Sequence, residues 1–265
     1  MIARVHGTGT PLIMIHGFGV DHRILLPLEE MVGNLGWQRI YLDLPWAEGA
    51  EDSGVGSPRE LAASVLTEVS DLIGQQPFAV LGNSFGALIA RHLAHALPER
   101  CLGLATLAGA FRMNHAERTL PAHRVVTHDA DVLERAGDAR GEFESMAVIH
   151  TFETLDAFER FVLPGVRGAN AVVLDRLTET YTDAPDPELS QPSFAAPSLH
   201  LFGRQDQIVG FEDGLALRGH YPRGSFVVLD GAGHNLHIER PAVVGPLVRD
   251  WLDRAAAHGL PESEA

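Results

Sequence analysis

The sequence predicts an α/β fold built on a mostly parallel β-sheet. Short apolar runs typical of buried strands alternate with segments typical of helices along most of the 265-residue chain. Polar residues with catalytic chemistry follow the ends of several of these runs. Between residues 111 and 190 the strand pattern disappears, and helical pieces are broken by glycine and proline. We therefore expect one sheet domain that carries a helical insertion.

Each element follows from a local pattern. Predicted strands are the apolar runs at residues 2–6, 12–15, 38–42, 78–81, 102–107, 198–202 and 226–229. Helices are predicted at residues 87–97, from residue 58 to about 74, and from residue 239 to about 257, the last from its apolar residues at helical spacing. The helix at residue 58 starts with Ser57 as a cap, Pro58 at its first position and Glu60 three residues after the cap.

The most informative motif is Gly82-Asn83-Ser84-Phe85-Gly86, which lies between a predicted strand and a predicted helix. A serine at such a turn has a strained backbone, and the glycines on either side leave room for it. The motif therefore predicts that Ser84 is a nucleophile whose hydroxyl is exposed above the sheet. A glycine-rich turn with an idle serine is the alternative on the pentapeptide alone.

A serine nucleophile needs a histidine base and a carboxylate that orients it. Among 14 histidines, His234 stands in a loop directly after the strand at residues 226–229, and Asp206 stands just after the strand at residues 198–202. Since the carboxyl ends of parallel strands meet at one edge of a sheet, we expect Ser84, Asp206 and His234 to be the catalytic residues. Asp230 is a second, poorer candidate for the acid.

A fourth motif, His16-Gly17-Phe18-Gly19, follows the strand at residues 12–15. Its turn can direct the backbone N–H of Phe18 toward a developing oxyanion, and Phe85 offers a second N–H from the serine motif. With the loops at residues 203–206 and 231–234, these four ordered motifs make the chain resemble the α/β-hydrolase superfamily over nearly its whole length.

The resemblance implies a mostly parallel sheet of about seven strands flanked by helices, with a helical cap. We expect residues 1–110 and 191–258 to form the core, residues 111–190 the cap, and residues 259–265 a frayed tail. An insertion that only buttresses the fold is the alternative to a cap. The first predicted strand stands alone where the superfamily usually has a hairpin, so the sheet should be one strand short at that edge.

Composition limits the partners and the compartment. The formal net charge of −15 makes nucleic acid and anionic membrane poor partners, so we expect a small-molecule substrate. No signal-peptide pattern and no apolar run of about 18 residues is present, which favours the cytoplasm. The spacings of His92 with His95 and of His234 with His237 lack a zinc-binding context, so we expect no metal and no cofactor. The sequence leaves the oligomeric state open.

Three functions follow, and the first is preferred: a carboxylesterase for small or medium esters. The second is hydrolysis of a carbon–carbon bond in ring-cleavage products, because residues 82–86 resemble the elbow of those hydrolases. Those enzymes usually have a tryptophan after the catalytic histidine, where this chain has Asn235, and a basic residue in the cap. Candidates for the basic residue are Arg124, Arg135, Arg140, Arg160, Arg167 and Arg176. A ligand-binding protein with little turnover is the third. After the strand at residues 38–42, relatives usually have a glycine-rich loop that ends in serine, whereas this chain has Trp46. We expect this segment either to line the entrance of the site or to be a plain surface loop.

Overall fold

A seven-stranded sheet forms the centre of the computed structural model, which describes residues 1–33 and 35–259. The strands are β1 (Ile2–His6), β2 (Thr10–Ile15), β3 (Trp37–Leu42), β4 (Phe78–Asn83), β5 (Cys101–Leu107), β6 (Ser198–Gly203) and β7 (Gly224–Leu229). Their order is β1-β3-β2-β4-β5-β6-β7, with β1 antiparallel to β3 and the other neighbours parallel. The predicted fold class is confirmed, including the single strand at the amino-terminal edge.

Most strands extend one or two residues beyond the predicted apolar runs. β2, β3, β5 and β7 begin earlier than predicted, and β4 and β6 end later. Backbone hydrogen bonds between strands do not depend on side-chain polarity, so pairing continues into polar and glycine residues that a hydrophobic pattern does not mark.

Helices cover both faces of the sheet, as alternation along β2 requires. Leu12 and Met14 join one buried apolar cluster, whereas Ile13 and Ile15 join the other. Before the insertion the helices are α1 (Pro27–Val32), α2 (Pro58–Ile73) and α3 (Phe85–Ala96). At the start of α2 the Ser57 hydroxyl accepts a hydrogen bond from the Glu60 N–H at 3.2 Å, so the predicted cap is present.

The insertion between β5 and β6 is helical. Its helices are α4 (Ala130–Arg135), α5 (Arg140–Met146), α6 (Phe152–Phe161), α7 (Leu163–Gly168), α8 (Ala171–Glu179) and α9 (Pro187–Ser190). A lone parallel bridge joins Thr127 to Ile149. After β6 follow α10 (Glu212–Ala216), α11 (Leu236–Glu239) and α12 (Pro241–His258). Short 3-10 turns lie at residues 22–25, 115–117, 137–139 and 218–220.

The predicted helix at residues 239–257 is divided in the structure, and this prediction was wrong at its start. α11 ends at Glu239, Arg240 has non-helical angles (φ −131, ψ 49), and α12 begins at Pro241. Proline has no N–H to continue a helix and disfavours helical angles at the residue before it. Glu239 is therefore separate from the long helix, and it is buried. Of the predicted tail at residues 259–265, only Gly259 lies within the described residues.

Two glycines let α7 of the insertion lie directly against the core. A Cβ on Gly165 would lie 2.8 Å from the backbone nitrogen of Asp21, and a Cβ on Gly168 would lie 3.0 Å from the Cβ of Glu48. Any larger residue would therefore push the helix away from the loops that carry Asp21 and Glu48. The position of the insertion on the core therefore depends on glycine at residues 165 and 168.

A buried ion pair fixes the other end of the insertion. Arg91 of α3 donates to Glu188 of α9 at 2.6 Å and 3.0 Å, and the Tyr221 hydroxyl donates to the same carboxylate. Burial alone would raise the pKa of Glu188, but the charge of Arg91 and these hydrogen bonds lower that pKa to about 2. Glu188 is thus held as a charged group inside the protein.

None of the helices in residues 1–33 and 35–259 combines the length and apolarity that crossing a bilayer requires.

We predict that Glu188→Gln lowers the free energy of unfolding by about 3–5 kcal/mol near neutral pH, because Arg91 is left buried without its counter-charge. The folded-state pKa of Glu188, about 2, is below the ordinary value of 4.5. Its contribution is therefore present above that ordinary value and is lost as the pH falls toward 2. Urea denaturation at two pH values, one neutral and one acidic, measures the difference.

The matched control is Asp156→Asn, which breaks an exposed ion pair with Arg135. It should change the free energy of unfolding by less than about 1 kcal/mol. If the difference in the free energy of unfolding between wild type and Glu188→Gln stays constant down to acidic pH, Glu188 does not contribute to stability through its charge.

Candidate active site

Ser84 lies at the turn between β4 and α3 with backbone angles φ 52 and ψ −117. A Cβ on Gly82 would lie 2.3 Å from the carbonyl oxygen of Gly86, and a Cβ on Gly86 would lie 2.3 Å from that of Ile15. Only glycine fits at either position, so the crossing of strand and helix enforces the unusual conformation of Ser84. Such a conformation costs about 1–3 kcal/mol and is retained where the surrounding structure determines it.

Hydrogen bonds connect Ser84, His234 and Asp206 in one chain. The His234 Nε2 lies 2.9 Å from the Ser84 Oγ, and the His234 Nδ1 lies 2.9 Å from the Asp206 Oδ2. Asp206 is fully buried, and its other oxygen accepts from the N–H groups of Ile208 and Val209 at 2.9 Å and 3.1 Å. Nδ1 therefore carries the proton that Asp206 accepts, and Nε2 is free to accept the proton of the serine hydroxyl.

Asp230, the second candidate for the acid, lies elsewhere. Its side chain is 77% exposed and accepts a hydrogen bond from the Gln205 amide at 2.9 Å. The strand ends before Asp230, so its side chain lies on the surface and does not join the hydrogen bonds of His234.

The loop that contains Phe18 lies beside Ser84. A Cβ on Gly17 would lie 3.0 Å from the Cβ of Ser84, so the two backbones are close. In residues 1–33 and 35–259, neither the N–H of Phe18 nor that of Phe85 donates to another protein group. Two backbone donors thus remain available near the serine.

His16 is a residue of this loop whose role the sequence analysis missed. Its Nε2 accepts from the Leu44 N–H at 2.9 Å, so its Nδ1 carries a proton and donates to the Gly17 carbonyl at 2.8 Å. Burial lowers the pKa of His16, which favours this neutral form. The histidine joins the Phe18 loop to the segment after β3. Its position directly before Gly17 was the available sequence signal.

Four aromatic rings pack next to the serine. The Phe18 ring lies 5.0 Å from Trp46, 5.6 Å from Phe85 and 5.4 Å from Tyr181, which comes from the insertion. Trp46 is fully buried, so the interpretation of it as part of a surface loop was wrong. Its indole N–H donates to the Val20 carbonyl at 2.9 Å, which satisfies its one polar group inside the core.

The arginines considered for the second function lie at the surface or pair with carboxylates. Ion pairs hold Arg135, Arg140, Arg167 and Arg176, and the side chains of Arg124 and Arg160 are exposed.

Arg118, which the sequence analysis did not consider, differs from these arginines. It is half-buried and donates to the carbonyls of Arg112 and Ile208, both at 2.8 Å, and it lies near the Tyr181 hydroxyl, whose pKa its positive charge lowers against the larger effect of burial. In the described part of the chain no carboxylate pairs with it. Its guanidinium lies between Ile208, two residues from Asp206, and Tyr181, which packs on Phe18.

The histidine pairs considered for metal binding are occupied by other contacts. His95 lies 2.8 Å from the ring nitrogen of His220, and His237 donates to the Ile24 carbonyl at 2.8 Å. Among the residues that the structure describes, no group of three potential ligands is placed to hold a metal ion.

We predict that Asp206→Asn folds normally but lowers turnover by roughly ten-thousand-fold, because the amide stabilises the wrong tautomer of His234. Asp230→Asn is the matched control, since its carboxylate is exposed, and it should retain turnover within about threefold. Steady-state kinetics on a serine-dependent substrate, with thermal melting to check folding, compares the two. The opposite ranking would assign the acid to Asp230.

A family model described as the alpha/beta hydrolase fold matches residues 10–241. The chain is 26% identical to a 2-hydroxy-6-oxononadienedioate/2-hydroxy-6-oxononatrienedioate hydrolase of Burkholderia vietnamiensis, over 95% of this chain and 91% of that protein. It is 28% identical to a pimeloyl-[acyl-carrier protein] methyl ester esterase of Aeromonas salmonicida, over 93% and 96%.

The chain is also similar to longer bifunctional proteins and to solved structures. The chain spans about half the length of bifunctional biotin biosynthesis proteins, such as that of Cellvibrio japonicus (28% identity, 92% of this chain, 48% of the relative). A solved alpha/beta superfamily hydrolase from Oenococcus oeni superposes with a TM-score of 0.86 at 25% identity, covering 96% of this chain and 95% of that structure.

Proposed function

Since the chain belongs to the α/β-hydrolase family, whose model matches residues 10–241, we propose that it is a serine hydrolase, a carboxylesterase for small or medium esters. The observation that carries the proposal is the continuous hydrogen bonding from Ser84 through His234 to buried Asp206. The esterase name of a relative that aligns over nearly its whole length supports the same reaction class.

The proposed reaction proceeds in two halves. The Ser84 hydroxyl attacks the ester carbonyl while His234 Nε2 takes its proton, and Asp206 stabilises the imidazolium that forms. The N–H groups of Phe18 and Phe85 hold the oxyanion. His234 then gives its proton to the leaving alcohol, which leaves an acyl group on Ser84. A water molecule activated by His234 releases the acid and restores the serine.

The insertion at residues 111–190 serves as the cap of this site in our proposal. Tyr181 packs on both Phe18 and Phe85, with ring distances of 5.4 Å and 5.7 Å, so the insertion contributes to the wall beside the nucleophile. Aromatic walls exclude water and suit an apolar acyl group. We further propose a small-molecule substrate and a cytoplasmic protein without nucleic-acid or membrane partners, in keeping with the net charge of −15.

We predict that p-nitrophenyl acetate or butyrate is hydrolysed and that Ser84→Ala lowers turnover by about a million-fold while the protein stays folded. An organophosphonate should label Ser84 covalently, as peptide mass spectrometry would detect. Labelling at another serine, or full activity of the variant, would refute the assignment. If neither substrate nor probe reacts and calorimetry finds a tight small ligand, the binding-protein alternative replaces the enzyme.

A second function, hydrolysis of a carbon–carbon bond in a ring-cleavage product, is favoured by one specific observation. Arg118 offers a half-buried positive charge that has no carboxylate partner within residues 1–33 and 35–259, and such a charge can bind an acidic substrate. The dienedioate hydrolase named above adds to this case. Against it, Asn235 follows His234 where those hydrolases usually have tryptophan, so we rank this function below ester hydrolysis.

We predict that a 2-hydroxy-6-oxo-dienoate persists under conditions in which the esters are consumed, as followed by its visible absorbance. Arg118→Met should then leave p-nitrophenyl acetate turnover within about threefold of wild type. Rapid bleaching of the dienoate with poor ester turnover, abolished by Arg118→Met, would establish the second function instead.

A further inference from the structure

Glu239 is a buried carboxylate that joins two neighbouring segments, the turn before His234 and part of the insertion. Its Oε2 accepts from the N–H of Gly233, directly before His234, at 2.6 Å. Its Oε1 accepts from the N–H of Val148, in the insertion, at 2.7 Å, and the N–H of Ile149 also faces it. One side chain therefore holds both the loop of the proposed base and a segment of the proposed cap.

The two elements that Glu239 joins also touch each other. A Cβ on Gly233 would lie 2.9 Å from the Cγ1 of Val148, so the valine packs directly on the turn before His234. The segment around Val148 is itself ordered by hydrogen bonds from Val126 to the Val148 carbonyl at 2.8 Å and from His150 to the Thr127 carbonyl at 2.8 Å. A shift of this segment would reach Gly233 without an intervening residue.

The chemistry of the side chain fits this bridging task. A carboxylate accepts at both oxygens, whereas glutamine has one oxygen and would turn an NH₂ group toward one of the two N–H donors. Burial, the largest effect, raises the pKa of Glu239, and the charge of Asp206 raises it further, while the backbone N–H groups lower it. In the described residues no cation pairs with Glu239, so backbone donors alone compensate for its burial.

We propose that Glu239 is a positioning residue that makes the orientation of His234 depend on the seating of the insertion. Through Gly233 it fixes the turn that carries the imidazole, and through Val148 it fixes the insertion against that turn. The inference rests on the proposed serine hydrolase function, and it adds a coupling between the cap and the base. An insertion that lifts off would release the Gly233 turn and misalign His234 relative to Ser84.

The test compares Glu239→Gln with Glu29→Gln. Glu29 of α1 is likewise a partly buried carboxylate, but it has cationic partners: it pairs with Arg39 at 2.9 Å and with His6 at 3.0 Å. These partners lie on β3 and β1, at the opposite edge of the sheet from β7, the strand that precedes His234. We expect Glu239→Gln to lower kcat on p-nitrophenyl acetate by about ten- to hundred-fold, because a small displacement of a catalytic group has this effect. KM should change less than about threefold. The rate of Ser84 phosphonylation should fall with kcat, since it also requires His234 as base.

Glu29→Gln should keep kcat within about twofold of the wild-type value, even if its melting temperature falls as much as that of Glu239→Gln. Glu239→Gln with unchanged kcat and phosphonylation, and only a lower melting temperature, would overturn the proposal and leave a structural role. A wild type that shows neither ester turnover nor phosphonylation would instead refute the proposed function, and the coupling with it.

A second set of variants tests the link to the insertion and does not depend on how Glu239→Gln folds. Gly233→Ala should lower kcat, because its methyl group meets Val148. Val148→Ala removes the obstructing methyl groups, so the double variant should recover most of the lost activity. Independent, additive losses in the double variant would show that Val148 and the His234 turn are not coupled.

Discussion

The contact between β2, β4 and α3 around Ser84 is the constraint on which the site depends. Gly86 passes so close to the Ile15 carbonyl that no side chain fits, and this approach forces the backbone of Ser84 into φ 52. Three hydrogen bonds hold it there: the Ser84 N–H donates to the Leu107 carbonyl at 2.9 Å, and the Ser84 carbonyl accepts from the N–H groups of Ala110 at 3.0 Å and Ala87 at 3.1 Å. The strain is thus supported by the neighbouring strand β5, and the hydroxyl faces His234 without any movement of the fold.

Local patterns were sufficient to predict the sheet and the loops that carry Ser84, Asp206 and His234. Each of these residues follows an apolar run, and parallel strands bring their carboxyl ends to one edge. Contacts that do not follow from the position of a residue at a strand end escaped prediction. Trp46 is buried by the Phe18 loop, and Glu239 faces Val148, 91 residues away. No period or motif in the sequence encodes such contacts, because they arise from how the loops and the insertion pack on the core.

Three buried histidines, His16, His200 and His237, have lowered pKa values. Burial lowers the pKa of His237 to about 4 and that of His200 to about 3, and it lowers the pKa of His16 as well. These rings therefore remain neutral near pH 7 and act as fixed hydrogen-bonding groups. His234 differs from them in contacting both a buried carboxylate and a serine hydroxyl. His16, His200 and His237 are accordingly not competing candidates for the base.

The glycines at positions 165 and 168 determine how closely the insertion packs on the core. The space beside them, against Asp21 and Glu48, is too small for a methyl group. A methyl group at either position would collide with these residues and push α7 away from the core. Side chains of increasing size at these two positions would therefore change the spacing between the insertion and the core in small steps, without replacing Ser84, Asp206 or His234.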